Sequence, residues 1–177
     1  MRKIVSWIII VSIVGMSFAW VNILTFEGVR MSVDRLSDGN FVTVGYSNLY
    51  VFSTIQGDII ETSGDLFTVF NDTDTTDSDI FPALSAFPDE GFVYLYYHSD
   101  SSRFVVRKRS NTGGPMWSPC YFPSDESAPG VDENIYFLKD IYALTDGGCF
   151  YAGGGRLVDE NQWDAMIGYI DSDGLDQ

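Results

Sequence analysis

Beyond residue 20, apolar residues come in short alternating or continuous runs that stop at Gly, Asp, Asn or Ser. No long window repeats them at the 3.6-residue period of an amphipathic helix. Phe41-Val42-Thr43-Val44, Tyr50-Val51-Phe52, Phe92 to Tyr97, Phe104-Val105-Val106 and Ala165 to Ile170 are such runs. Aromatic and β-branched side chains dominate them, and these suit a pleated, half-buried surface. The pattern predicts an all-β chain of short antiparallel strands.

The runs recur in a fixed order. Leu36-Ser37-Asp38-Gly39-Asn40-Phe41-Val42, Phe87-Pro88-Asp89-Glu90-Gly91-Phe92-Val93 and Leu144-Thr145-Asp146-Gly147-Gly148-Cys149-Phe150-Tyr151 each place an apolar residue, a turn and an aromatic-led strand in succession. Aligned on Phe41, Phe92 and Phe150, the copies lie 51 and 58 residues apart. A two-residue hairpin needs positive φ, which Asp-Gly or Gly-Gly supplies at small steric cost. A second turn follows each first one: around Gly57-Asp58, around Asn111-Thr112-Gly113-Gly114, and around Asp171-Ser172-Asp173-Gly174. Each unit therefore reads as three or four strands in about 50 residues, the size of one propeller blade. The approximate units are 28–70, 80–120 and 135–177.

On these residues the chain resembles secreted bacterial β-propeller repeat proteins, with Leu144 to Gly174 the best-matched stretch. Ser110-Asn111-Thr112-Gly113-Gly114-Pro115-Met116-Trp117 is similar to an Asp-box turn, with Thr112 in place of the aspartate. The resemblance implies a structural role for that turn. It also implies a propeller-like arc that three units leave incomplete, since closed propellers carry four to eight blades. The expectation is a fragment of a longer product. The alternative is a self-sufficient assembly in which residues 20–26 pair with the last unit.

The N-terminus changes the compartment. Met1-Arg2-Lys3 is basic, Ile4 to Met16 is almost wholly apolar, and Ser17-Phe18-Ala19 places small residues where a signal peptidase reads. A signal peptide over 1–19 is expected, leaving a chain from Trp20 that is periplasmic, cell-surface or extracellular and not inserted in the membrane. An uncleaved anchor is the rival, because apolar residues continue through Leu24 and about 20 suffice to span a bilayer. Without Arg2 and Lys3 the chain carries 8 basic against 25 acidic residues, a formal charge of −17. Such a surface repels phosphate backbones, which excludes nucleic acid as the expected partner.

Candidate chemistry is sparse. Cys120 and Cys149 allow one disulfide in an oxidising compartment, or two buried thiols. Asp72, Asp74, Asp77 and Asp79 offer hard oxygen ligands, which makes calcium the one cofactor the sequence points to. They lack EF-hand spacing, and a solvated loop between units is the expected reading, with no cofactor required. Asp171 to Asp176 reads as a hairpin turn. His98, the sole histidine, reads as an exposed loop residue, and no Gly-x-Ser-x-Gly elbow accompanies it. Arg103, Arg107 and Arg109 share one face of a strand beside Lys108, a charged edge or outer face that discourages sheet-to-sheet pairing. Tyr94, Tyr96, Tyr97, Trp117, Tyr121, Tyr151 and Trp163 are suited to stacking on sugars or peptides, and equally to packing between sheets. Gly153-Gly154-Gly155 has no helix after it and reads as a close backbone approach, not a phosphate cradle.

The sequence thus predicts no catalytic residues. It predicts an exported, non-enzymatic repeat protein that offers a surface to a protein or glycan. The alternative is the N-terminal part of a secreted propeller hydrolase of sialidase or glycosidase type whose catalytic residues lie elsewhere.

Overall fold

The computed structural model describes residues 29–49, 52–63, 65–76, 82–98, 101, 103–122, 137–156 and 163–176. The expected signal peptide, 1–19, lies outside them. Three antiparallel sheets follow one another along the chain. Sheet 1 is β1 (Val29–Arg35), β2 (Phe41–Leu49), β3 (Phe52–Ile60) and β4 (Leu66–Thr76), paired in that order. Sheet 2 is β5 (Ala83–Ala86), β6 (Phe92–His98), β7 (Arg103–Arg109) and β8 (Cys120–Phe122). Sheet 3 is β9 (Phe137–Ala143), β10 (Cys149–Arg156) and β11 (Trp163–Ile170). The all-β class read from the pattern holds, and among the described residues there is no helix.

The first two strands of each sheet are joined by a turn whose hydrogen bonds fix the register. In sheet 1 the Leu36 amide donates to the Asn40 carbonyl at 2.8 Å, and the Gly39 amide donates to the Leu36 carbonyl at 3.0 Å. Leu144 with Gly148, and Gly147 with Leu144, do the same at 2.9 and 3.2 Å in sheet 3. Phe87 with Gly91 closes the sheet 2 turn at 2.9 Å. These are three-residue loops, not the two-residue ones expected, with a left-handed residue in the last loop position of the first and third. Gly39 and Gly147 hold φ of 93° and 89° there. The closing pairs also correct the alignment of the copies. The residue after the closing pair is Phe41 in sheet 1, Phe92 in sheet 2 and Cys149 in sheet 3. Phe150 stands one place further on, and a one-residue offset turns a strand side chain to the opposite face.

Each sheet has a front towards the sheet that follows and a rear towards the one before. Phe92, Tyr94 and Tyr96 leave the rear of β6 and join Leu36, Val42, Val44, Ile55, Ile59 and Phe70 of sheet 1 in one core. Val93 and Leu95 leave its front and join Leu138, Ile141, Cys149, Tyr151 and Ile170 of sheet 3 in another. Burial on both faces explains why β6 reads as an unbroken apolar run instead of an alternating one. The first strands lie side by side, β1 beside β5 and β5 beside β9. A hydrogen bond recurs there. The Ala86 amide donates to Asp34 Oδ2 at 2.8 Å, and the Ala143 amide donates to Ser85 Oγ at 3.1 Å. Asp34 and Ser85 both stand two residues before their turn, so the side chain at that position ties each sheet to the next.

Within sheet 3 the Tyr151 ring lies flat on Gly168, its cross-strand partner. A Cβ at Gly168 would fall 2.0 Å from the Tyr151 ring carbon Cζ. Gly168→Ala is therefore expected to lower stability by about 1–3 kcal/mol, the cost of overpacking a filled core. Urea unfolding monitored by circular dichroism measures it, and an unchanged midpoint would mean that the ring is not held there.

Candidate functional site

Of the dense basic group, Lys108 and Arg109 are buried and Arg103 and Arg107 are half-buried. β7 is an interior strand of sheet 2, flanked by β6 and β8, so it is not the charged edge that alternation suggested. Arg109 leaves its rear and is buried. Its Nε donates to the Tyr94 hydroxyl at 2.9 Å, and its Nη1 donates to the Gly113 carbonyl at 2.8 Å. Its guanidinium lies 4.3 Å from the centre of the Phe70 ring in sheet 1. Arg107, on the same face, donates from Nε to the Tyr96 hydroxyl at 3.0 Å. Arg103, at the other end of β7, pairs in register with His98. Lys108 leaves the front. Its Nζ donates to the Gly147 carbonyl of sheet 3 at 2.8 Å and lies 4.0 Å from the Phe87 ring centre and 5.0 Å from that of Trp117. Desolvation lowers the Lys108 pKa, against the opposing pull of Asp89, Cys149, Glu90 and Asp146. Arg109 is met by the Phe70 ring of sheet 1 and the Gly113 carbonyl, and Lys108 by the Gly147 carbonyl of sheet 3 and the Phe87 and Trp117 rings, which is packing chemistry and not a carboxylate clamp.

The Asp-box-like segment is a turn on the connection from β7 to β8 within sheet 2. Ser110 and Gly114 close it at 2.9 Å, and it delivers Trp117 into the core shared by sheets 2 and 3. Trp117 Nε1 donates to the Ser172 carbonyl at 2.9 Å. Asp171 to Leu175 forms a turn of the same kind, closed at 3.0 Å.

Both cysteines are carried as thiols and share the core between sheets 2 and 3. Burial pushes the Cys120 thiol up to about 11, with Asp176 and Asp171 adding to it. Burial likewise pushes Cys149 up to about 12, with Cys120 adding and Lys108 opposing. Cys120 Sγ donates to the Gly174 carbonyl at 3.0 Å. Neither thiol is prepared for nucleophilic attack, because the thiolate is the reactive form.

His98 ends β6 and is half-buried, not an exposed loop residue. Its Nδ1 lies 2.6 Å from Ser101 Oγ and accepts from the Ser101 amide at 3.3 Å, which locks the β6–β7 turn. The aspartate run is part strand: β4 continues to Thr76, so Asp72 and Asp74 belong to sheet 1 and not to a loop. Asp77 and Asp79 lie outside the described residues. Among the described residues no three His, Cys, Asp or Glu side chains gather as a metal group. Gly153 to Gly155 lie within β10, where a Cβ on Gly153 would fall 2.1 Å from the Phe137 carbonyl oxygen, a close backbone approach.

Of the aromatic candidates, Tyr94 and Tyr96 are buried between sheets 1 and 2, Trp117 and Tyr151 between sheets 2 and 3, and Tyr97 packs against the latter core. Tyr121 is exposed, and Trp163 opens β11. The exposed apolar face is elsewhere, on the front of sheet 3. Tyr142, Phe150 and Ile167 are 67%, 44% and 74% exposed. With Asp140, Ile141, Tyr151 and Ala152 they line an open cavity of about 420 Å³. Phe150 packs on Tyr169, centroids 5.4 Å apart, and the Tyr169 hydroxyl donates to Asp146 Oδ2 at 3.2 Å. Sequence reading missed this face because it aligned Phe150 with Phe41 and Phe92, which leave their sheets on the rear. Counting from the turn's closing pair was the signal that places it on the front.

Two outcomes test this assignment. Arg109→Met keeps the length of the stem and removes the donors to Tyr94 and Gly113. It is expected to cost about 2 kcal/mol in urea unfolding, and no loss would deny the cation its structural role. The thiols give a pH dependence. Their folded pKa values are raised above the ordinary 9.0. The unfolded chain therefore releases protons first, and stability present below pH 9 is lost as pH rises through 11 to 12. The double variant Cys120→Ala, Cys149→Ala is expected to flatten that alkaline decline in thermal melts, and an unchanged slope would refute the assignment.

Comparison with protein-family models and with curated proteins finds no match for this chain.

Proposed function

We propose that this is an exported, non-enzymatic repeat protein of the β-propeller type that uses an open sheet face to bind a protein or glycan. The observation that carries the reading is the aromatic and aliphatic surface of Tyr142, Phe150 and Ile167 around the open cavity of sheet 3. Contiguous exposed apolar surface on a folded protein marks a place of interaction. Tyr and Phe rings beside a carboxylate, here Asp140, suit both sugar faces and apolar side chains. Three antiparallel sheets with adjacent first strands, tied by the Asp34–Ala86 and Ser85–Ala143 hydrogen bonds, support the propeller-like part of the proposal. The signal-like N-terminus and the acidic balance support the exported part.

The test uses two probes on the folded chain: an apolar dye, bis-ANS, and gels containing defined polysaccharides. Dye fluorescence, and retardation in at least one gel, are expected from the native chain. The pair Phe150→Ser, Ile167→Ser is expected to abolish both while leaving the circular dichroism spectrum intact. Binding that survives the pair unchanged would move the site off sheet 3.

A further inference from the structure

Cys120 and Cys149 stand on opposing faces of the gap between sheets 2 and 3. Cys120 is the cross-strand partner of Val106, and direct partners in an antiparallel pair share a face. Val106 lies in the core on the front of sheet 2, so Cys120 is turned towards sheet 3 and packs against that core. Cys149 pairs in register with Ala143 and Ile170, and all three are buried in the same core, turned towards sheet 2.

Three contacts bring both positions to one end of the interface. Trp117 Nε1 donates to the Ser172 carbonyl at 2.9 Å, and Cys120 Sγ donates to the Gly174 carbonyl at 3.0 Å. A Cβ on Gly174 would fall 3.0 Å from Trp117 Cγ. Residues 117 to 120 thus lie along the turn that opens directly after Ile170, the partner of Cys149.

We infer that these two thiols are the reduced state of a disulfide, and that oxidation joins β8 of sheet 2 covalently to β10 of sheet 3. The oxidant is a small-molecule or protein disulfide, of the kind found outside reducing compartments. One cysteine gives up its proton, and its thiolate displaces one half of the oxidant as a thiolate. The second cysteine, deprotonated in turn, attacks the mixed disulfide and displaces the other half. Two S–H bonds become one S–S bond, and the oxidant takes the two electrons and two protons to become two thiols. Cys120 is half-buried and meets the oxidant first, whereas Cys149 is fully buried and resolves the mixed disulfide. Burial keeps both sulfurs protonated in the folded chain, so the bond forms during folding or when sheets 2 and 3 part. Lys108 favours the Cys149 thiolate, which suits it to the second step.

The bond falls where the interface has least to hold it. The first strands are tied by the Ser85–Ala143 hydrogen bond, and Lys108 reaches Gly147 from β7. β8 is three residues long and, among the described residues, an edge strand paired with β7. The disulfide replaces the donation from Cys120 to Gly174 and closes the chain between residues 120 and 149, which restricts the unfolded state.

The test unfolds the full chain in urea with reductant and refolds it in two buffers, one with dithiothreitol and one with reduced and oxidised glutathione. Intact mass, peptide mapping after iodoacetamide, and thermal melts are read on each product. From glutathione the expected product is a monomer lighter by two hydrogen atoms, linked between Cys120 and Cys149, with an unchanged circular dichroism spectrum. It is expected to melt roughly 10 °C above the reduced chain. Its alkaline decline in stability is expected to flatten, because neither sulfur titrates any longer. Cys120→Ala and Cys149→Ala are each expected to gain no stability from the glutathione buffer. Two alkylated thiols after refolding with glutathione overturn the inference. Glutathione adducts or disulfide-linked dimers as the main product also overturn it. An intramolecular bond that lowers the melting temperature does the same, since the sheets are then distorted to make it.

Discussion

Lys108 and Arg109 are consecutive residues of β7, and because side chains alternate along a strand they leave sheet 2 on opposite faces. One cation lies against Phe87 and Trp117 and reaches a carbonyl of sheet 3, while the other lies over Phe70 of sheet 1. Burying a cation is costly unless its donors are used and its charge is met, and here carbonyl oxygens, a phenol and aromatic faces do both. Sheet 2 is thereby held at a set depth and rotation against each neighbour. A purely aliphatic interface would tolerate sliding that these directional contacts resist.

The strands and their class were legible because aromatic and β-branched runs bounded by Gly and Asp leave few alternatives. Two of the second turns were legible as turns, Ser110 to Gly114 and Asp171 to Leu175, but Gly57-Asp58, read as the third, lies inside the continuous strand β3 and turns nothing. Register was not legible. The third copy inserts its second glycine at the closing position, so that Cys149 takes the place of Phe41 and Phe92. A landmark chosen for its aromatic ring then lands one residue late and on the wrong face.

The same limit hid the chemistry of β7. Alternating arginines on a strand look alike whether the strand is an edge or an interior one, and only the pairing of β8 on its far side decides that. The exposed face of sheet 3 was similarly illegible. Tyr142, Phe150 and Ile167 are ordinary core residue types, and their exposure depends on which sheets follow them in space. His98 was read as an exposed loop residue, but it ends β6, and its half-buried pairing with Ser101 is a contact that sequence spacing does not reveal.

The two cores share no residue. One is built from sheets 1 and 2, the other from sheets 2 and 3, and the interleaved side chains of β6 and β7 divide them. Among the described residues the two cores are joined through the central sheet, which couples the outer sheets to each other. Hydrogen exchange in such a molecule proceeds in steps: sheet 3 can peel away while the Phe70–Tyr94 stack persists, and sheet 1 can fray while Trp117 stays seated. The amides of β6 and β7 are then the slowest to exchange, since both flanks must be lost before either strand is freed.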